Sequence, residues 1–251
     1  MTRPVPEEKL RLGGMALRNG LLVHGPTHWA AAVRTKRGEI KVASGRKPDL
    51  GGRMTERVPG LRGITKLGEA FAVIPLVKRG LPEAQLPMQD LRTLGAMAAA
   101  AGAGRALRGR GDGARTVGRE AAVAAVSLLP AVAALRGGDL ASYHGVEHKS
   151  IAAYESDGDA ADAAKEHDRC GSNLVAPMLA STAIGNVAVR RAGLAGPAAE
   201  SAVALGSMAF AVELFAWSER NSGSALAKLL RRPGHEIQRA LGTREPSEEQ
   251  L

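Results

Sequence analysis

Three apolar runs in the second half of the chain constrain its fold most strongly. They cover residues 121–135, 174–189 and 192–217, and only the pair Arg190-Arg191 separates the second run from the third. Alanine is the commonest residue in each run, and aromatic residues make up 3% of the whole chain. Helices can therefore pack closely through small side chains, whereas few bulky residues are available for a core. The sequence predicts a mainly α, alanine-rich helical bundle.

The same runs leave a soluble and a membrane placement open. A membrane-spanning helix needs roughly 20 predominantly apolar residues, and the first run is short by that measure. The longest run contains Glu200 and Glu213, which are costly in lipid. If the runs do span a membrane, residues 174–217 form a helical hairpin that places 137–172 and the C-terminal tail on one side. The Lys and Arg content of those two segments then predicts a multi-pass protein of the cell membrane with this side in the cytoplasm; the alternative is a soluble cytoplasmic bundle.

The N-terminal part of the chain has a different pattern. Residues 1–12 are charged and contain prolines, so we expect a flexible lead without the apolar stretch of a secretory signal. Residues 13–44 alternate short apolar and polar stretches around a turn at Lys36-Arg37-Gly38, which predicts a small N-terminal β unit. The remaining divisions are a basic, glycine-rich linker at 45–60, a helical bundle at 61–218 and a basic C-terminal tail at 219–251.

Charge and cysteine content limit the classes of partner. A formal net charge of +9 permits attraction to nucleic acid or to an anionic membrane surface, without establishing either. The basic stretches at 45–63 and 105–119 lack interleaved aromatic residues for base stacking, so nucleic-acid binding ranks last. Cys170 is the one cysteine, which excludes an internal disulfide framework.

The candidate chemistry lies in residues 139–172, which hold three of the six histidines and the cysteine. His144, Glu147 and His148 form the pattern H-x-x-E-H. On a helix the two histidines lie one turn apart on the same face, so both imidazoles can reach one cation. This is the inverted zincin arrangement, in which the Glu acts as general base towards a water activated by zinc. The competing interpretation is a pair of surface histidines in an ordinary Glu–Lys neighbourhood.

A second group follows about twenty residues later. His167 and Cys170 stand three residues apart before Gly171, and the intervening loop is long enough to bring them back to the first motif. Cys170 has three interpretations: a thiolate metal ligand, a nucleophile paired with His167, or a small buried residue. Glu155 lies seven residues beyond His148, which is about 10 Å along a helix. It is therefore a poor direct ligand and a better candidate for a position around the metal or on the substrate side.

Glu213 is a candidate for a further metal ligand. It sits in the apolar stretch AFAVELFAW, where a carboxylate needs a partner. A downstream helical Glu supplies the third ligand in inverted zincins, so its place in the chain order fits. An Arg partner, or the polar side of an ordinary amphipathic helix, remains an alternative for Glu213.

The motifs together resemble a known family. YHGVEHKSIAAYE at 143–155 and HDRCGSN at 167–173 are similar to the central motifs of the DUF1385 family, also called YqhQ-like. The segments GGMALRNGLLVHGPTHWAAAVR, VPGLRGITKLGEA, AVELFAW and RRPGHEIQRALGTREPSEEQ resemble its other blocks in the same order. Asp168 and Asn173 depart from the family pattern, while His144, Glu147, His148, Glu155, His167 and Cys170 match it. The resemblance implies a multi-pass membrane protein and a metal-dependent enzyme, without implying a substrate.

The leading hypothesis is a membrane-associated hydrolase that depends on a divalent metal ion. The mixed nitrogen and sulfur ligands favour zinc as that ion. Glu147 is the expected general base, and anionic membrane lipid is the expected partner, with a protein partner as a further possibility. The alternative is a non-catalytic membrane scaffold with a closed structural zinc site, which four protein ligands would favour over three and an open position. The expected metal ligands are His144, His148, His167, Cys170 and Glu213, and the residues expected around the metal or on the substrate side are Glu155, Lys149 and Arg169.

Overall fold

The computed structural model describes residues 9–51, 58, 61–108, 117–194 and 196–251. Among the described residues, a four-stranded antiparallel sheet near the N-terminus is followed by helices as far as residue 242, so the prediction of a mainly α protein with a small N-terminal β unit is confirmed. Most of the expected flexible lead and much of the expected linker lie outside the described residues. The strands are β1 (Gly13–Leu17), β2 (Gly20–His24), β3 (His28–Arg34) and β4 (Ile40–Arg46).

The sheet is a simple meander in which each strand pairs with the next. The turn expected at residues 36–38 joins β3 to β4, and Gly38 adopts a φ of 85°, a left-handed conformation that favours glycine. Helix α1 (Leu61–Gly80) covers one face of the sheet. The core between them is formed by Leu17, Leu22, Trp29, Ala31, Val33, Val73, Val77, Leu81 and Ala84.

Helix α2 (Leu91–Arg108) forms an antiparallel pair with two consecutive helices, α3 (Val117–Ser127) and α4 (Leu129–Arg136). Near one end of the pair, a Cβ on Gly104 would lie 4.0 Å from Val123. At the other end, Arg92 lies beside Gly137, just after α4. Pro130 stands in the first turn of α4, where its missing N–H costs nothing, and it accounts for the break between α3 and α4.

Helices α6 (Val175–Arg191) and α7 (Pro197–Arg220) pack against each other as the hairpin expected from the sequence. Their approach is close because residue 185 is glycine: a Cβ there would lie 2.7 Å from Val203. Gly118–Arg136, Gly171–Arg191 and Pro197–Arg220 are each long and apolar enough to cross a membrane, which is consistent with membrane localisation. Only 11% of each of these segments is buried inside the protein.

Helix α5 (Leu140–Ser156) lies between the sheet and the C-terminal segment. That segment contains α8 (Ala225–Ile237), a π-helical turn (Gln238–Gly242) and an extended stretch. Arg244 donates its backbone N–H to the Ala141 carbonyl across 2.8 Å. The end of the chain is therefore packed against α5 and takes part in the candidate functional site.

Candidate metal centre

Helix α5 carries the H-x-x-E-H motif and is buried along most of its length. Ten of its 17 residues are buried, including Glu147, His148 and Lys149. Two glycines permit this close packing. A Cβ on Gly145 would overlap the Arg244 carbonyl oxygen, and a Cβ on Gly14 of β1 would lie 2.5 Å from a Glu147 carboxylate oxygen. Much of the polar face of α5 is therefore packed against other segments of the protein.

His144 is oriented by the C-terminal segment. Its Nδ1 lies 2.7 Å from the carbonyl oxygen of Gly242, the last residue of the π-helical turn. Because a carbonyl oxygen only accepts, the proton of this bond sits on Nδ1. In the neutral ring the lone pair is then on Nε2, which faces Cys170.

His148 is oriented in the same way by a different segment. Its Nδ1 lies 2.6 Å from the carbonyl oxygen of Lys165, in the loop after α5. This bond again places the proton on Nδ1 and leaves the Nε2 lone pair available. The two ring centroids are 4.4 Å apart. Backbone carbonyls that hold a histidine ring through its other nitrogen are the usual outer support of metal-binding histidines.

Cys170 completes the cluster. Its Sγ lies 3.4 Å from His144 Nε2 and accepts a hydrogen bond from the Ser172 N–H at the start of a 3₁₀ turn (Gly171–Leu174). Ligand atoms of His144, His148 and Cys170 all lie within 4.8 Å of one another.

This donor set fits zinc. Bonds of roughly 2.0–2.3 Å to nitrogen and sulfur place two donors of a tetrahedral zinc ion about 3.5 Å apart, close to the separation of Cys170 Sγ and His144 Nε2. Two imidazoles and a thiol are ligand types that zinc prefers over magnesium or calcium.

Glu147 lies beside this cluster. Its carboxylate is 3.9 Å from His144 Nε2, and the residue is 5% exposed. Burial raises the pKa of Glu147 to about 7, against the smaller opposing effect of His144. The side chain can occupy this position because residue 14 has no Cβ.

His167 stands next to the cluster and lines the same cavity, but one of its ring nitrogens is already engaged by the backbone. Its ring centroid is 5.6 Å from that of His148, and its Nδ1 accepts the backbone N–H of Arg169 at 3.2 Å. Burial, the Arg169 cation and His148 lower the pKa of His167 to about 4, so the ring is neutral near pH 7. With Nδ1 occupied, the neutral ring carries its proton on Nε2 and presents no free lone pair in this orientation.

The three residues expected around the metal or on the substrate side have different positions. Arg169 lines the cavity beside the cluster and forms an ion pair with Glu155, which holds its guanidinium at the wall. Lys149 points elsewhere: its Nζ donates to the Ala161 carbonyl at 3.1 Å and lies 2.6 Å from Glu245. It therefore links α5 to the following loop and to the C-terminal segment.

Glu213 is not brought to the cluster. It lies partly buried on α7, and among the described residues neither the ligand group nor the cavity wall includes it. Its position in the chain order matched the inverted zincin pattern, but α7 packs against α6 and is not among the helices that pack against α5.

Several residues that shape the site were not indicated by the sequence. Lys165 and Gly242 act through their backbone carbonyls, and Gly14 acts through the absence of a side chain. Gln238 is fully buried, and its side-chain Oε1 accepts the backbone N–H of His167 at 2.8 Å while its Nε2 donates to the His167 carbonyl at 3.2 Å. Its amide also donates to Ser172 Oγ at 2.9 Å, so the loop bearing His167 and Cys170 is fixed to the C-terminal segment.

A cavity of about 320 Å³ opens beside the ligand cluster. Glu147, His144, His148 and Cys170 are among its polar lining residues, and Met15, Ala16, Leu135 and Leu140 are among its apolar ones. This volume suits a small ligand or one part of a larger one.

The family model of a protein of unknown function, DUF1385, matches residues 123–251, which is about half of the chain. The chain belongs to the DUF1385 family. No curated protein and no solved structure matches it.

The DUF1385 match contains every residue of the His/His/Cys group, Glu147 and both supporting carbonyls. The sheet lies outside it, and so does Gly14, the β1 residue against which Glu147 packs. The membership therefore rests on the half of the chain that carries the candidate metal centre, and the resemblance of the N-terminal segments to the family stays a prediction.

Proposed function

We propose that this protein is a membrane-associated, zinc-dependent hydrolase whose metal ligands are His144, His148 and Cys170. One observation carries the proposal: backbone carbonyls engage Nδ1 of both histidines and leave their Nε2 atoms for a metal, and ligand atoms of His144, His148 and Cys170 lie within 4.8 Å of one another. A zinc ion bound there would supply Lewis acidity to a water molecule and to the bond under attack. The cavity beside the ligands gives a substrate access to that position.

Glu147 is the proposed general base. Its carboxylate stands beside the ligand cluster, on the wall of the same cavity. From there it can accept a proton from an attacking water and deliver it to a leaving group, which is the role of the Glu in the inverted zincin pattern. Arg169, held by Glu155 at the cavity wall, is placed to bind an anionic part of a substrate.

The alternative is a scaffold with a closed structural zinc site, for which His167 is the natural fourth ligand. The hydrogen bond from the Arg169 N–H to His167 Nδ1 speaks against it, because the ring would have to turn before it could bind a metal. Three ligands and an adjoining cavity favour a catalytic site over a structural one.

The proposal places the protein in the cell membrane as a multi-pass protein, with the metal centre and C-terminal segment on the cytoplasmic side. Exposed apolar side chains on the candidate spans support the membrane placement: Ile184 is 70% exposed and Leu205 63%. Such side chains are unfavourable in water and are expected against lipid.

The proposed partner of α8 is anionic lipid. Leu226 and Leu229 are exposed on this helix next to the basic side chains of Lys228 and Arg232. The helix follows α7 after a short turn. A helix with exposed leucines and basic residues beside a membrane-spanning segment is suited to lie at an anionic membrane surface.

Metal content of the detergent-purified full chain, measured by mass spectrometry, tests the ligand set. We expect about one zinc per chain, and we expect the double variant His144→Ala, His148→Ala to lose it because two of three ligands are removed. The variant His28→Ala is the matched control, since this histidine is exposed on β3 and should be dispensable for zinc. Unchanged zinc in the double variant would refute the assignment.

The role of Glu147 is tested by Glu147→Gln. This variant should keep its zinc and lose hydrolysis of whichever peptide, ester or phosphoester substrate the wild-type protein cleaves, by about 100-fold or more. Glu236→Gln, an exposed carboxylate on α8, is the control. Loss of zinc in Glu147→Gln would make the carboxylate a ligand, and zinc without hydrolysis in the wild-type protein would favour the scaffold.

A further inference from the structure

We infer that α2 is a fourth membrane-crossing helix, whose exposed face contacts lipid acyl chains. The inference rests on the proposed membrane placement, since it assumes that Gly118–Arg136 crosses the bilayer. Within the part of the chain that the structure describes, three segments suit a membrane span by length and hydropathy alone, and helix α2 is not one of them. Its crossing follows instead from the positions of its two ends.

The N-terminal end of α2 lies on the side of the metal centre. Asp90, directly before the helix, pairs with Arg18, which follows β1. Arg18 also donates its backbone N–H to the Gln85 carbonyl at 2.8 Å. The chain therefore enters α2 from the sheet, and β1 of that sheet lines the same cavity as His144.

The C-terminal end of α2 lies at the far end of its partner helices. Arg92, near the start of α2, lies close to Gly137, while Gly104 lies close to Val123. A second cavity, beyond the metal centre, is lined by Arg105 together with Pro197 and Glu200 from the start of α7. Helix α2 thus runs antiparallel to α3–α4 over most of their common length.

The number of times that the chain crosses the bilayer shows why α2 must cross it. Residues after α4 return to the sheet side, because α5 packs against β1. If α3–α4 crosses the bilayer towards that side, Val117 must begin on the opposite side. Asp90 is on the sheet side, so the chain between Asp90 and Val117 crosses an odd number of times. Helix α2 is the element that the structure describes between these two residues.

The amino-acid sequence of α2 is compatible with this placement. Its 18 residues span about 27 Å, close to the thickness of the hydrocarbon core. The segment 93–104 contains no charged residue, and Arg92 and Arg105 flank it at positions from which long side chains can reach the polar interface. Leu91 is 87% exposed and Leu94 47%, so the helix presents apolar side chains that no described segment covers.

Side-specific labelling of single introduced cysteines in the full chain tests the inference. Met88→Cys and Ala106→Cys place a thiol at the two ends of α2, both at exposed positions. Lys36→Cys, in the β3–β4 turn, marks the sheet side, and Leu194→Cys marks the turn between α6 and α7. A membrane-impermeant maleimide is applied to intact cells and to inverted vesicles, and unsubstituted protein gives the background from buried Cys170.

We expect residue 88 to react from the same side as residue 36, and residue 106 from the same side as residue 194. Arg105→Cys repeats the second measurement at the same helix end, in case one substitution prevents folding. Reaction of residues 105 and 106 from the side of residue 36, while residue 194 reacts from the opposite side, would overturn the crossing of α2 alone. Reaction of residues 36 and 194 from one side would overturn the membrane placement itself, and the inference with it.

Discussion

Helices α5 and α7 have similar backbone structure and very different surroundings. Ten of the 17 residues of α5 are buried inside the protein, whereas three of the 24 residues of α7 are. The buried side chains of α5 include a Glu, a His and a Lys, while the exposed side chains of α7 include Leu205 and Phe210. Polarity is thus inverted relative to an ordinary soluble protein, in which α7 would bury the leucine and α5 would expose the lysine.

The difference shows that the two helices depend on different kinds of partner. Buried polar groups of α5 have partners from this chain, such as the Lys165 carbonyl for His148 and Glu245 for Lys149. Little of the apolar surface of α7 is covered by the residues that the structure describes. Substitutions on α5 should therefore report on protein packing, and substitutions on the outer face of α7 should report on lipid.

Among the substitutions that test this difference between α5 and α7, Phe210→Asp should have the largest effect. Phe210 is 53% exposed near the middle of Pro197–Arg220, and a carboxylate at the centre of a spanning helix costs about 3 kcal/mol. We expect a loss of membrane insertion of α7, measured as reaction of Leu194→Cys and Lys228→Cys, on either side of α7, with an impermeant maleimide from the same side of the membrane. Ile40→Asp, at an exposed position on β4, is the control. Equal membrane insertion of the Phe210→Asp and Ile40→Asp variants would mean that the exposed face of α7 does not contact lipid.

Gly145→Ala tests the packing of α5 against the C-terminal segment. The added methyl group would overlap the carbonyl oxygen of Arg244, which belongs to the backbone and cannot turn aside. We expect a loss of about 2 kcal/mol in the free energy of unfolding, together with weaker zinc binding, because the same segment supplies the Gly242 carbonyl to His144. Thermal unfolding and zinc content of the detergent-solubilised protein measure the two effects. Unchanged stability would mean that the C-terminal segment does not pack on α5 in this way.

The sequence predicted the fold better than it predicted the candidate site. The apolar runs identified α3–α4, α6 and α7, and the alternating pattern of residues 13–44 identified the sheet, because both patterns repeat along the chain. The i, i+4 spacing of His144 and His148 placed two imidazoles side by side for the same reason. These features depend on local periodicity, which a single sequence contains. Helix α8 lies in the segment that we interpreted as a basic tail.

The rest of the site depends on contacts between distant segments. Lys165 and Gly242 contribute backbone carbonyls, which every residue type possesses, so nothing in their side chains indicated a role. The position of Glu213 in the chain order suggested a ligand, but chain order does not determine whether α7 packs against α5, and the two helices are not a packed pair. In the sequence, Gly145 is simply a residue that weakens a helix, although its missing side chain is what admits Arg244.

Gly206→Ala should have the smallest effect, with a sign opposite to that of Gly145→Ala. Gly206 is exposed on α7, and a Cβ there would meet nothing within 4 Å. Alanine is favoured over glycine inside a helix by about 0.5–1 kcal/mol, so the variant should unfold about 2 °C higher in the same thermal assay. Gly145→Ala and Gly206→Ala therefore make the same substitution in two surroundings. On α7 the helix preference for alanine determines the change in stability, whereas on α5 a backbone clash outweighs that preference. Destabilisation by Gly206→Ala would mean that this face of α7 is covered by protein, either from a second copy of the chain or from another partner, and not by lipid.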